Sequence, residues 1–147
     1  PGSARLTPGE TPDEILHFNE TATTALDLKT GLTWTKNANI YEKSISWQDA
    51  LDTIHQMNVD TLYGYRDWRL PTIRELDSLT HMEKWAPAIA GRDLFSAVRP
   101  FYWSSTTSVF EPGYAWTLYT EDGNIGVGYK PDPEFHLWPV RGGWSTP

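Results

Sequence analysis

"GYRDWRLPT", residues 64–72, sets three charges (Arg66, Asp67, Arg69) among two large aromatics (Tyr65, Trp68) and runs out through Pro71 to Thr72. Its reading separates an enzyme from a scaffold. A catalytic loop needs a poised base or nucleophile beside a partner. Asp67 lies between Arg66 and Arg69, and neighbouring cations keep a carboxylate ionised with a low pKa. A general base works best with a pKa near the operating pH. The architectural reading is simpler. Tyr65, Trp68 and Leu70 pack, and an internal Arg–Asp pair ties the loop down. A buried bidentate pair of that kind fixes geometry more than it adds stability. The stretch therefore reads as scaffold, and Asp67→Ala is expected to strand Arg66 or Arg69 at a cost of about 3–5 kcal/mol.

The flanking sequence builds outward from this loop. Thr72 and Glu75 have the T-x-x-E spacing of a helix capping box, followed by an apolar stripe at Ile73, Leu76 and Leu79. Pro71 suits the position before that cap, because proline disfavours helix in the residue preceding it. Upstream, "SWQDALDTIHQMN" (46–58) has Ser46 as N-cap and places Trp47, Ala50, Leu51, Ile54 and Met57 on one helical face. Earlier still, "ALDLKTGLTWTK" (25–36) alternates about Leu26 and Leu28, then about Leu32 and Trp34, with Lys29-Thr30-Gly31 between. That pattern predicts a β-hairpin with Gly31 in the turn. After Pro100, "FYWSST" (101–106), a hairpin of strands near 114–120 and 125–130 about Asp122-Gly123, and a last strand in "FHLWPVRGG" (135–143) follow. Pro139 marks that last strand as an edge or bulge. Two helices followed by a strand-rich half predict an α+β domain.

Residues 1–23 carry little periodicity and are expected to be a tag remnant (Pro1-Gly2-Ser3) and a linker or tail, leaving a single domain over 24–147. Asn19-Glu20-Thr21 is a formal glycosylation sequon. A chain of 147 residues fits one domain, and its 39% hydrophobic content excludes wholesale disorder. No apolar run approaches the roughly 18 residues of a membrane-spanning helix. The net charge of −7 argues against nucleic acid or an anionic membrane as partner. With no cysteine in the chain, thiolate metal sites, disulfides and cysteine nucleophiles are excluded.

Other chemistry-bearing residues form no recognisable constellation. His17, His55, His81 and His136 show no i, i+4 metal spacing. Ser104-Ser105-Thr106 sits in no G-x-S-x-G elbow. Gly123, Gly126 and Gly128 lack the strand-to-helix switch of a phosphate loop. Glu121, Asp122, Asn124, Asp132 and Glu134 could offer oxygens to Ca²⁺, yet their spacing matches no EF-hand; a solvated turn is the plainer reading. The aromatics carry more information: ten of the twenty fall between Phe101 and Trp138. Trp103, Trp116 and Trp138 are assigned to the core. Phe110, Tyr114, Tyr129 and Phe135 have Pro, Gly or acidic neighbours and read as loop aromatics, which either cover loop ends or bind.

The order of "DLKTGLTW" (27–34), "SWQDAL" (46–51), "GYRDWRLPTIRELDSL" (64–79), "YWSST" (102–106), "AW" (115–116) and "WPVRGG" (138–143) resembles the Legionella collagen-like protein C-terminal domain family. The resemblance runs from about Leu26 to Gly143. It implies a C-type lectin-like superfold, a group that also houses the formylglycine-generating enzymes. It also implies a secreted or surface-exposed bacterial module, related to an adhesin that binds sulfated glycosaminoglycans. In that superfold ligands meet the loops and strands of the C-terminal half. The DWRLPT segment then counts as scaffold (Arg66, Asp67, Trp68, Arg69), with Arg141 of "VRGG" a second scaffold residue.

This chain departs from the pattern in lacking the cysteine many relatives carry near the final arginine. It also lacks the cysteines or histidine-rich iron site of the superfold's enzymes, and the calcium tripeptide of calcium-dependent lectins. Residues 101–140 hold one base, Lys130, against five acids (Glu111, Glu121, Asp122, Asp132, Glu134), which disfavours a polyanionic ligand. The expectation is a non-catalytic, cofactor-free recognition module that takes a glycan or protein ligand through its C-terminal loops, without membrane insertion. Phe110, Tyr114, Tyr119, Tyr129, Glu134 and His136 are its candidate ligand residues. The alternative is a structural or assembly domain of a larger bacterial surface protein with no ligand of its own.

Overall fold

The computed structural model describes residues 17–81 and 88–143. In chain order its elements are β1 (Phe18–Glu20), β2 (Thr24–Asp27), β3 (Leu32–Thr35), α1 (Trp47–Val59), α2 (Ile73–Ser78), β4 (Phe101–Thr107), β5 (Tyr114–Tyr119), β6 (Ile125–Tyr129) and β7 (Val140–Gly142). Two antiparallel sheets result, ordered β1-β2-β3-β7 and β4-β5-β6, so the fold is α+β.

The β2–β3 turn forms where expected. Gly31 adopts φ 73°, its N–H donates to the Asp27 carbonyl at 2.8 Å, and the Asp27 carboxylate accepts the Lys29 amide at 2.9 Å. β1 is a difference from the sequence reading: it lies inside the stretch expected to be tail. "FNE" has no alternation to betray a strand, but Phe18 packs edge-on against Phe95 (5.8 Å between ring centroids) and Glu20 pairs with Lys36 at 2.7 Å. Pro1-Gly2-Ser3 and the rest of the expected tail up to residue 16 lie outside the described residues.

Both helices start as their sequences dictate. The Ser46 side chain accepts the Asp49 amide, and Thr72 and Glu75 complete the capping box on α2. Ala50 and Ile54 of α1 are buried, with Trp47, Leu51 and Met57 packed at the border of the same cluster. This cluster holds Trp68, Leu70, Trp103, Ala115, Phe135 and Leu137. A second cluster joins the first sheet to α2 and β4–β5 through Trp34, Leu76, Leu79, Tyr102, Leu118 and Trp138. The Trp138 ring touches Trp34, Phe95 and Tyr102 at centroid distances of 5.3, 5.0 and 5.1 Å. Trp103 and Trp138 are fully buried as expected. Trp116 is only half-buried: it sits on the β5 face that α2 leaves partly open, so its assignment to the core is corrected.

Candidate functional site

α1 leaves through two left-handed non-glycine residues, Thr61 (φ 56°) and Tyr63 (φ 53°). That strained exit is held by the Trp68 indole N–H donating to the Leu62 carbonyl at 2.9 Å and Arg66 Nε donating to Thr61 Oγ1 at 3.2 Å. The Asn58 side chain then brackets Trp68, accepting its amide and donating to its carbonyl, both at 2.8 Å. Residue 69 bridges to β7, with the Arg69 amide on the Val140 carbonyl at 2.8 Å and the reverse bond at 2.9 Å. The DWRLPT stretch thus stitches α1 to the sheet.

The ion pairs differ from the internal pair expected. Asp67 takes Arg141 Nε and Nη2 at 2.6 and 3.1 Å, and the Arg141 guanidinium lies 3.9 Å over the Tyr65 ring. Arg69 forks onto Glu75 at 2.6 and 2.7 Å and also donates to the Gly142 carbonyl at 3.0 Å. Asp67 thus meets an arginine 74 positions away, while Arg69 meets the capping box of α2. The hydrogen bond from Arg141 lowers the Asp67 pKa below 3.8. Burial opposes ionisation of Glu75, but Arg69 and the Thr72 amide outweigh it and hold its pKa below 4.5.

The candidate ligand residues divide between the two faces of β4-β5-β6. Tyr114 pairs with Tyr129, Trp116 with Val127 and Leu118 with Ile125, and directly opposed residues share a face. At the Leu118 end this face is covered by α2. At the Tyr114 end and along the β6 edge it is open: Tyr114 and Tyr129 touch at 5.2 Å between centroids, and Ile125, Val127 and Tyr129 are 43%, 43% and 47% exposed. Phe110, in the β4–β5 turn that leads into Tyr114, is 86% exposed.

Tyr119 is not with them. It stands five positions after Tyr114, an odd number, so alternation turns it to the other face. There it packs on Phe101 (5.1 Å) and Phe135 (6.5 Å). His136 also leaves the group: its ring lies against Tyr102 at 6.5 Å, and its Nδ1 is buried with no hydrogen-bond partner. Burial, with Arg99 nearby, pushes its pKa below 6.5. Glu134 is exposed in the loop that follows β6, where its amide donates to the Asp132 carbonyl at 2.9 Å.

Sequence reasoning missed Trp116, Ile125 and Val127. The available signal was "IGVGY", whose glycines alternate with apolar residues. The glycines mark the packed face, where a Cβ on Gly128 would come within 2.9 Å of Trp103. The apolar residues mark the open one.

Among the described residues, the acids around this face make no ion pair. Lys130 is turned inward, 4.0 Å over the Trp47 ring and 2.9 Å from Thr107 Oγ1, while Glu111, Glu121, Asp122, Asp132 and Glu134 are exposed. The Asp122 carboxylate is occupied by the Asn124 amide and side chain at 3.0 and 2.8 Å. Among the described residues no group of three or more His, Asp or Glu side chains could hold a metal ion. No described helix is long and apolar enough to cross a membrane.

No curated protein matches the chain. A family model does, over residues 23–141, from just before β2 into β7. That span contains the capped helices, the DWRLPT stitch and the whole β4-β5-β6 sheet. The chain therefore belongs to the Lcl C-terminal domain family, the domain of Legionella collagen-like surface proteins.

Proposed function

We propose that this domain is a non-catalytic recognition module displayed outside the cell or on its surface. It holds a neutral or cationic glycan, or a protein, against the open face of β4-β5-β6. The observation that carries the reading is the ladder of exposed Ile125, Val127 and Tyr129 beside half-buried Tyr114 and Trp116, continued by exposed Phe110. Tyrosine and tryptophan rings offer flat apolar area at low entropic cost and stack on sugar faces or anchor protein contacts. Exposed contiguous apolar surface rimmed by polar residues marks interaction sites, and here the rim is acidic. The resemblance to the C-type lectin superfold, in which ligands meet the C-terminal half, supports the same end of the molecule. The reading calls for no cofactor, nucleic acid or membrane insertion.

A glycan array probed with the domain and with Tyr129→Ala tests it. Binding to neutral or amino-sugar glycans that Tyr129→Ala weakens is the expected result. A domain that captures neither glycans nor peptides is a structural or assembly domain, and the recognition reading then fails.

A further inference from the structure

The two sheets have four edge strands. Three are short or covered among the described residues. β1 is three residues long and carries Glu20 paired with Lys36. β7 is bridged on its outer side by Arg69. β4 is covered by residue 136, which bonds Trp103 and Phe101 at 3.0 Å each, and by Pro71, whose carbonyl accepts the Ser105 amide at 2.8 Å. β6 is left open. The Tyr119 amide bonds the Asn124 carbonyl at 2.8 Å and the Lys130 amide bonds the Gly113 carbonyl at 2.9 Å. Antiparallel pairing alternates, so residues 124, 126, 128 and 130 bond inward to β5. Ile125, Val127 and Tyr129 aim their backbone groups outward. The Tyr129 carbonyl is taken by the Asp132 amide at 3.0 Å, which leaves three N–H groups and two carbonyls unpaired among the described residues.

β6 also lacks every device that blunts an edge. It contains no charge, no proline and no bulge, whereas natural sheets protect open edges with those features. Its side chains toward the open face are apolar and exposed, while the acids stand at its two ends: Glu121 and Asp122 before it, Asp132 and Glu134 after it. We infer that β6 receives an extended peptide segment of a partner protein as a fourth strand, with apolar residues at alternate positions and lysine or arginine at its flanks. The inference rests on reading the domain as a recognition module and names the partner of that site.

The strand repeat of amide and carbonyl groups matches a peptide backbone. The alternate Ile125, Val127 and Tyr129 side chains supply the same-face contacts that stabilise strand pairs. A second copy of this chain fits less well. Antiparallel self-pairing about Val127 sets the Glu121–Asp122 end of one copy against the Asp132–Glu134 end of the other, bringing like charges together.

A displayed library of random decapeptides, selected on the domain, provides the probe. Selected sequences should alternate apolar residues and end in lysine or arginine, and their affinity should fall with salt. With the selected peptide bound, the Ile125, Val127 and Tyr129 amides should exchange at least about tenfold more slowly, because strand addition buries them. Val127→Pro, which removes an outward N–H that β5 does not use, should lower affinity at least about tenfold. Should that variant misfold, Val127→Lys, an edge-blocking change at an exposed position, carries the same expectation. Four results overturn the inference: no enrichment, acid-flanked sequences, unchanged exchange at these amides, or a β6-mediated dimer in sedimentation. Glycans bound on the array without any such peptide overturn it while leaving the recognition reading intact. Failure of both probes removes the two together.

Discussion

Glu75 accepts hydrogen bonds from Arg69 Nη1 and Nη2 and from the Thr72 amide at 2.6, 2.7 and 2.8 Å, and its side chain is 18% exposed. Asp67 has one arginine partner and is 58% exposed. Solvent screens an exposed pair, so Asp67→Ala should cost only about 0.5–1 kcal/mol. Glu75→Ala loses a helix cap and strands a partly buried arginine, and should cost roughly 2 kcal/mol. Urea denaturation of both variants checks the order, and equal losses would contradict it. The pH dependence follows from the same contacts. Folding lowers the Glu75 pKa below 4.5, so the unfolded chain takes up its proton first as the solution is acidified. The stabilisation is complete above about pH 4.5 and is lost as pH falls through the folded value. The stability gap between the protein and Glu75→Gln should therefore narrow on going from neutral pH into acid.

Gly128 and Gly126 lie on the packed face of β6, under different neighbours. A Cβ at Gly128 would collide with the Phe135 and Trp103 rings, both in the core, whereas one at Gly126 meets only the outer end of the half-buried Tyr119 ring at 3.0 Å. Overpacking a fixed core costs about 1–3 kcal/mol, so Gly128→Ala should lower the melting temperature well beyond Gly126→Ala, whose tyrosine can shift outward. A similar loss for both would show that Tyr119 is as fixed as Trp103. These glycines also mark where the sequence stopped being informative. The β2–β3 hairpin, the Ser46 cap, the Thr72–Glu75 box and the strands about Asp122-Gly123 were readable, because each is specified within a few residues. Asp67 pairing with Arg141 was not, since the two lie 74 positions apart. Nor was the half-exposure of Trp116, which depends on how far α2 extends over β5. Phe110 and Tyr129 are exposed, as their neighbours suggested, and Tyr114 is half-buried. Tyr119 lies on the opposite face by strand parity, and the packing of His136 on Tyr102 is a tertiary contact that no local pattern carries.

Two surfaces of the folded chain answer to different forces, and binding experiments can separate them. The open face is apolar with acidic ends. Tyr114→Ala or Tyr129→Ala should weaken ligand binding by about 1–2 kcal/mol, as truncated interface aromatics commonly do, with little change in melting temperature. Tyr119→Ala should do the reverse, because its ring packs between Phe101 and Phe135. Exposed cations gather elsewhere: Lys29 and Arg74 line a hollow of about 270 Å³ between the β2–β3 turn and α2. Three other cations, Arg69, Lys130 and Arg141, are engaged by Glu75, Trp47 and Asp67. With a net charge of −7, the molecule repels a polyanion at long range, and a few surface cations are screened at about 0.15 M salt. Heparin should therefore bind weakly and elute below that ionic strength, and Arg74→Glu should remove the remainder while Tyr129→Ala leaves it unchanged. Tight heparin binding in physiological salt would place the principal ligand site on the α2 side, away from the aromatic ladder.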